Sequence, residues 1–422
     1  RACVCRVPNM ASDGLATIRL RAQPFCLDAH PSRSLMVTGL ITGQLKLYEF
    51  ERCTKEFEGV KGTATKPVAT TSQMWSARPH KEACRSARFS ADGTSIFSTG
   101  GDRTLQQRDV ESNKPIWRRR DVHDAPINAL TRLSEVGIAT GDDDGAVKCW
   151  DIRAKTAALS FHENSDYVSD MLYDERGSNK HTLAVAGGDG RLSVFDLRAG
   201  RLWARSDDQD DELTCLGLVK HGKKLMCGMQ DGVVGIFSWG SFGDVSDRML
   251  GHPASVDCLL PHGEDAAITG SSDGLIRLVG VHPNKIHGVI GEHENEATVE
   301  AMTLDSSGET LMSCAHDQTI RLWDLAYLEA EDSDNERDGG SAAGKAAAAR
   351  GDDSDDDSDD NDDDDDDEGT LSKKAPVQTK RRATAAASSS AEGAATRKFK
   401  LPKQVAKKGA AIQMAGDFFA DM

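Results

Sequence analysis

What the chain lacks narrows its class before any motif is read. None of its 422 residues fall in a stretch approaching the roughly 18 apolar residues of a membrane span. No N-terminal segment combines a basic n-region with an apolar h-region. The ten cysteines are scattered, with no C-x-x-C pair and no zinc-like spacing. Cys149, Cys215, Cys258 and Cys314 sit in alternating apolar runs, where a thiol behaves as a small hydrophobe. A reducing compartment, cytosol or nucleus, is expected. The sequence also lacks G-x-x-x-x-G-K-[ST], G-x-S-x-G, H-E-x-x-H and a G-x-G-x-x-G in strand–helix context. No catalytic residue, metal site, cofactor, membrane contact or small-molecule substrate is therefore expected, and the chain is read as a non-enzyme.

Charge of one sign is scarce where it would mean most. The net charge of −17 is concentrated rather than spread. Residues 329–368 hold 20 acids against 3 bases, and 369–422 hold 11 bases against 3 acids. The other 328 residues are only mildly acidic, with 45 acids and 37 bases. Neither a uniformly basic nucleic-acid binder nor a uniformly acidic surface fits these numbers.

What is present is a repeat. A small residue, x-D-G, four residues, an aromatic and often Asp recur in GDDDGAVKCWD (141–151), GGDGRLSVFD (187–196), MQDGVVGIFS (229–238), SSDGLIRLVG (271–280) and AHDQTIRLWD (315–324). Weaker copies are GGDRTLQQRD (100–109) and ITGQLKLYE (41–49). The turn aspartates Asp102, Asp144, Asp189, Asp231, Asp273 and Asp317 are spaced by 42, 45, 42, 42 and 44 residues. Thr42 precedes Asp102 by 60, so the first repeat carries a polar insertion near Glu51–Thr71. Asp-Gly between two alternating runs is a hairpin signal, because Gly accepts the positive φ of the turn. A period of about 40–45 with a Trp-Asp signature resembles the WD40 repeat, one four-stranded propeller blade. The expected fold is all-β: a seven-bladed WD40 propeller over 15–328. Leu15–Leu20 should supply the outer strand of the last blade.

In such blades a His, a Ser/Thr, the turn Asp and the Trp form a buried hydrogen-bonded chain. Two repeats supply all four: His123, Thr140, Asp144 and Trp150, and His293, Ser313, Asp317 and Trp323. Two more supply three: His80, Ser98 and Asp102, and His252, Thr269 and Asp273.

Outside the repeats, residues 1–14 read as an extension, with Met10 a candidate start. Residues 329–370 read as an acidic disordered linker and 371–422 as a basic disordered tail, too poor in apolar residues to offset ordering entropy. Ser333, Ser354 and Ser358 suit an acid-directed kinase. Lys380, Arg381, Arg382, Arg397, Lys398 and Lys400 suit nuclear targeting or an RNA-contacting arm. Asp417, Phe418 and Phe419 of the terminal DFFA suit a short docking motif. Arg118-Arg119-Arg120, before His123, suits a solvated face, with contact to RNA or an acidic peptide the sharper alternative.

HKEACRSARFSADG (80–93), HDAPINAL (123–130), ATGDDDG (139–145), HPNKIHGVIGEH (282–293), AHDQTIRLWD (315–324) and the terminal DFFA together resemble the WD repeat-containing protein 55 family, which includes fungal nucleolar WD-repeat factors. The similarity covers roughly residues 20–330 and the last few. It implies a scaffold in nucleolar ribosome biogenesis, acting in ribosomal RNA processing and maturation of the large subunit, monomeric within a pre-ribosomal assembly. Two other functions fit the residues. Trp150-Asp151-Ile152-Arg153 matches the W-D-x-R box of some cullin–RING ligase substrate receptors, and Phe195-Asp196-Leu197-Arg198 is a near copy. The acidic run suits a chaperone for histones or ribosomal proteins.

Overall fold

In a computed structural model, the structure describes residues 14–59, 62–174 and 181–328. They form seven four-stranded antiparallel sheets arranged as a β-propeller. Blade 1 spans Pro24–Ala77, blade 2 Cys84–Arg119, blade 3 Ile127–Phe161 and blade 4 Val168–Arg205. Blade 5 spans Leu213–Met249 and blade 6 Val256–Glu292. Blade 7 takes its three inner strands from Val299–Asp324 and its outer strand from Ala16–Arg19. That last strand pairs in antiparallel register, Ala16 opposite Leu322 and Arg19 opposite Thr319. The chain thus closes its own ring.

The repeat explains the stacking. A blade cannot bury its apolar faces alone, so each packs on its neighbours. Seven apolar clusters follow, one at each blade–blade interface; Phe161 and Phe195, for example, stack at 4.4 Å between blades 3 and 4. The closing interface buries Leu15, Ile18 and Leu20 against Leu27, Met36, Ile320 and Leu322. Second strands such as Leu35–Leu40 and Thr310–Ala315 are buried along their whole length, whereas outer strands such as Pro115–Arg119 are largely exposed.

The hairpin turns follow the sequence signal. Gly145 and Gly274 hold φ of +78° and +81°. Blades 2 and 7 lack that glycine and place Arg103 and Gln318 there at φ of 57° and 61°. The insertion in the first repeat is a long hairpin, Leu45–Gly59 paired with Gly62–Ala77. It braces the closure: Arg52 donates to Glu309 and to Asp324 of blade 7, both at 2.7 Å, and the Ala69 amide donates to the Leu15 carbonyl.

Candidate functional site: blade networks and the channel mouth

Blade 7 assembles the predicted chain complete. His293 is fully buried, with Nδ1 3.0 Å from Asp317 Oδ2 and Nε2 2.7 Å from Ser313 Oγ. Trp323 Nε1 donates to the same Ser313 oxygen at 2.8 Å. A carboxylate only accepts, so His293 Nδ1–H donates to Asp317; with the ring neutral, Ser313 O–H donates to Nε2. Asp317 also accepts from the Thr319 hydroxyl at 2.7 Å and from the amides of Glu294 and Thr319. Burial alone would raise its pKa; the His293 and Thr319 hydrogen bonds outweigh that and hold the carboxyl well below its ordinary range.

Blade 2 builds the same chain with a substitute. His80 lies 2.9 Å from both Asp102 and Ser98. Gln106 Nε2, at 3.1 Å, supplies Ser98 with the donor that Trp supplies in blade 7. Sequence reasoning missed Gln106; it stands on the third strand opposite the hydroxyl, where blades 3, 6 and 7 carry Lys148, Arg277 and Arg321. Against burial, the His80 hydrogen bond holds Asp102 down at about 2.

Blade 3 corrects one assignment. His123 Nε2 meets Thr140 at 2.7 Å and Trp150 Nε1 donates to Thr140 at 2.8 Å, as expected. The carboxylate is not that of Asp144, which is exposed, but that of Asp142, 2.7 Å from His123 Nδ1. Asp142 Oδ1 also accepts the amides of Asp144 and Ala146 and so caps its own turn. Asp143, between them, faces Arg85 of blade 2.

Blade 6 corrects a second. His252 Nε2 meets Thr269 at 2.9 Å, but Asp273 does not reach the ring. Arg277, on the third strand opposite Thr269, takes both carboxylate oxygens of Asp273, one at 3.0 Å. His252 Nδ1 is left buried without a partner among the described residues. Burial first, and the nearby Arg277 charge second, push the His252 pKa down to about 4.

The boxes at two blade ends differ. Asp151 accepts from the Arg153 amide at 2.8 Å and from its guanidinium at 2.8 and 3.0 Å. Asp196 instead accepts from the Ala199 amide, and Arg198 is exposed. In the Arg118–Arg120 run, Arg118 reaches Asp102 at 3.4 Å, and Arg119 lies 4.4 Å over the Trp117 ring and donates to the Ile152 carbonyl. Ser333, Ser354, Ser358, Lys380, Arg381, Arg382, Arg397, Lys398, Lys400, Asp417, Phe418 and Phe419 lie outside the described residues.

A second site emerges that the sequence did not signal. Every innermost strand carries a register shift at the same point, and each shift skips one residue. Those residues are Phe25 in blade 1, Arg85 and Asn128 in blades 2 and 3, Ser169 and Thr214 in blades 4 and 5, and Asp257 and Glu300 in blades 6 and 7. A bulge re-aims its extra side chain. All seven line one central cavity of about 840 Å³, as a ring around its mouth. The ring is chemically uneven. Arg85 donates to Asn128 and, at 2.9 Å, to Asp143. Across the channel, Glu300 accepts from His316 Nε2 at 2.8 Å. Asp257 Oδ1 accepts from Ser255 at 2.6 Å. Burial and the neighbouring Glu300 charge push Asp257 up to about 6, against the Ser255 hydrogen bond.

Seven radially packed four-stranded blades, with complete His–Ser/Thr–Asp chains in blades 2, 3 and 7, define a WD40 propeller, a scaffold fold. Comparison with known proteins narrows this further. The WDR55 family profile matches residues 15–328. WD repeat-containing protein 55 of Arabidopsis thaliana is 37% identical over 309 residues, covering 73% of this chain and 82% of that protein. The Homo sapiens protein of that name is 34% identical over 330 residues, covering 78% and 82%. A homolog in Dictyostelium discoideum is 34% identical over 310 residues, covering 73% and 70%. The chain belongs to the WD repeat-containing protein 55 family.

Proposed function

We propose that the chain is a non-enzymatic scaffold of ribosome biogenesis in the nucleolus, serving ribosomal RNA processing and maturation of the large subunit. The observation that carries this reading is the family match through all seven blades and their linkers, since that family's resemblance implies this role. A rigid propeller supports it by offering fixed surfaces to proteins of the pre-ribosomal machinery. The basic residues Lys380–Arg382 and Arg397–Lys400 support it as nuclear-targeting or RNA-contacting segments, whose RNA affinity would fall steeply with salt. The test is sucrose-gradient sedimentation of the tagged full chain together with its imaging in cells. Co-sedimentation with large-subunit precursors and nucleolar signal are expected. A wholly cytoplasmic protein absent from those particles contradicts the proposal.

One observation favours a second reading, a substrate receptor of a cullin–RING ligase. Arg153 is held by Asp151 at a blade end while half exposed, as an adaptor-contacting arginine would need to be. As a plain surface ion pair the same Arg153–Asp151 contact is worth at most about 1 kcal/mol. A pull-down comparing wild type with Arg153→Ala and Arg198→Ala decides it: unchanged adaptor recovery, or none from wild type, removes the reading.

A further inference from the structure

Three blades place a cysteine at the same point of the innermost strand, just after the bulge and directly across from a glycine. Cys26 in blade 1 faces Gly39, Cys215 in blade 5 faces Gly228 and Cys258 in blade 6 faces Gly270. All three cysteines line the central cavity. A glycine has no side chain to hold the next blade off, so the first strand of that blade comes down close to the thiol. Next to blades 5 and 6 the residue that arrives is a valine, and the thiol donates to its carbonyl: Cys215 to Val256 at 3.4 Å and Cys258 to Val299 at 3.3 Å. Next to blade 1 the residue at that strand position is Cys84. A Cβ added to Gly39 would lie 2.7 Å from the sulfurs of both Cys26 and Cys84, so the two thiols flank one point in the interface between blades 1 and 2. Chemistry also separates Cys26 from its counterparts. Burial pushes the Cys215 and Cys258 thiols up. At Cys26 the Cys84 thiol, helped by the Arg88 charge, outweighs burial and holds the group below its ordinary value, which favours the nucleophilic thiolate. Only Cys26 has to meet an oxidant: it is 4% exposed at the cavity wall, whereas Cys84 is fully buried and is reached through Cys26.

We propose that Cys26 and Cys84 are a redox pair that hydrogen peroxide converts to a disulfide, stapling blade 1 to blade 2. The Cys26 thiolate attacks one peroxide oxygen, the O–O bond breaks, and the departing hydroxide takes up the proton the thiol gave up and leaves as water. Cys26 is then a sulfenic acid. The Cys84 sulfur attacks the Cys26 sulfur, the S–S bond forms, the S–O bond breaks, and the oxygen leaves as a second water carrying the Cys84 proton. Two thiols are oxidised and one peroxide is reduced. Thiol reductants reverse the bond, so the staple resets in a reducing compartment. The inference does not rest on the ribosomal reading.

The test treats the folded full chain with hydrogen peroxide, alkylates the remaining thiols with N-ethylmaleimide in urea, digests without reductant and maps the peptides by mass spectrometry. The expected product is a peptide pair joined through Cys26 and Cys84, lost on adding dithiothreitol and at least tenfold more abundant than any link through Cys215 or Cys258. Cys84→Ser should strand Cys26 as the sulfenic acid, read as at least a tenfold rise in dimedone labelling at Cys26 over wild type. Cys258→Ser, at the counterpart with no partner thiol, should leave the Cys26–Cys84 link unchanged. Should Cys84→Ser fail to fold, Cys84→Val, which copies Val256 and Val299 of blades 6 and 7, gives the same reading. Cys26 and Cys84 both alkylated after peroxide has oxidised the exposed Cys53, links through Cys215 or Cys258 in equal yield, or dimedone labelling at Cys26 unmoved by the folded Cys84 variant overturns the proposal.

Discussion

Blades 6 and 7 start from nearly the same residues and end with different electrostatics. Each places a histidine against a Ser/Thr hydroxyl, with an aspartate four residues after that hydroxyl. In blade 7 the aspartate turns to the histidine and completes the chain with Trp323. In blade 6 the aspartate turns to Arg277, and the histidine is left neutral and half-satisfied. One third-strand side chain decides which happens. Arg277 presents a fork that fits both oxygens of Asp273. The equivalent residue of blade 7, Arg321, is drawn instead to Glu294 and the Glu292 carbonyl, and so leaves Asp317 free for His293. A network of this kind is thus fixed by what competes for its carboxylate as much as by its own members.

The largest effect expected from breaking blade 7 comes from its borrowed strand. Deleting residues 1–20 removes Leu15, Ile18 and Leu20 from the closing interface and should cost about 5 kcal/mol by burial alone. Urea unfolding with a midpoint within error of wild type would show that closure does not rest on this strand. Next is Asp317→Ala, which strands His293 and the Glu294 and Thr319 donors and should cost about 3 kcal/mol in equilibrium unfolding. It also removes a carboxylate whose depressed pKa stabilises the fold above about pH 4, a contribution lost as pH falls further.

Smaller, but sharper for the comparison, is Arg277→Gln, which copies the Gln106 of blade 2 into blade 6. Asp273 should then turn to His252, and the His252 pKa, about 4 in the wild type, should rise toward or above its ordinary value. The sign follows: a histidine whose folded pKa is depressed loses stability as pH falls from about 6.5 to 4, and the variant should remove about 1 kcal/mol of that loss. Histidine ring-proton titration by NMR checks it; a His252 pKa unmoved by Arg277→Gln would mean that competition for Asp273 is not what isolates the ring.

Much of this was legible in advance, for reasons that also mark where legibility stops. The spacing of the turn aspartates and the alternating runs around them set seven blades, because hairpin turns and strand periodicity are local. The outer strand from Leu15–Leu20 was legible because the last repeat ran out before its fourth strand. Blade 3 was misread because Thr140-Gly141-Asp142-Asp143-Asp144-Gly145 offers three carboxylates in a row, and spacing alone favours the third. The structure uses the first, since only Asp142 can cap the turn while facing His123, and Asp143 is taken by Arg85 from the neighbouring blade. The ring of bulged residues was invisible because Phe25, Arg85 and Asp257 share no residue type; only their register and the closure of the ring bring them together.

Blade 3 gives the most direct test of the account, that the carboxylate's competing partners decide each network. Equilibrium unfolding of Asp142→Ala and Asp144→Ala, side by side, measures it. The account predicts a loss of about 2 kcal/mol for Asp142→Ala, which strands His123 and two turn amides, and less than about 0.5 kcal/mol for exposed Asp144→Ala. Equal losses, or the larger loss at Asp144, would contradict it.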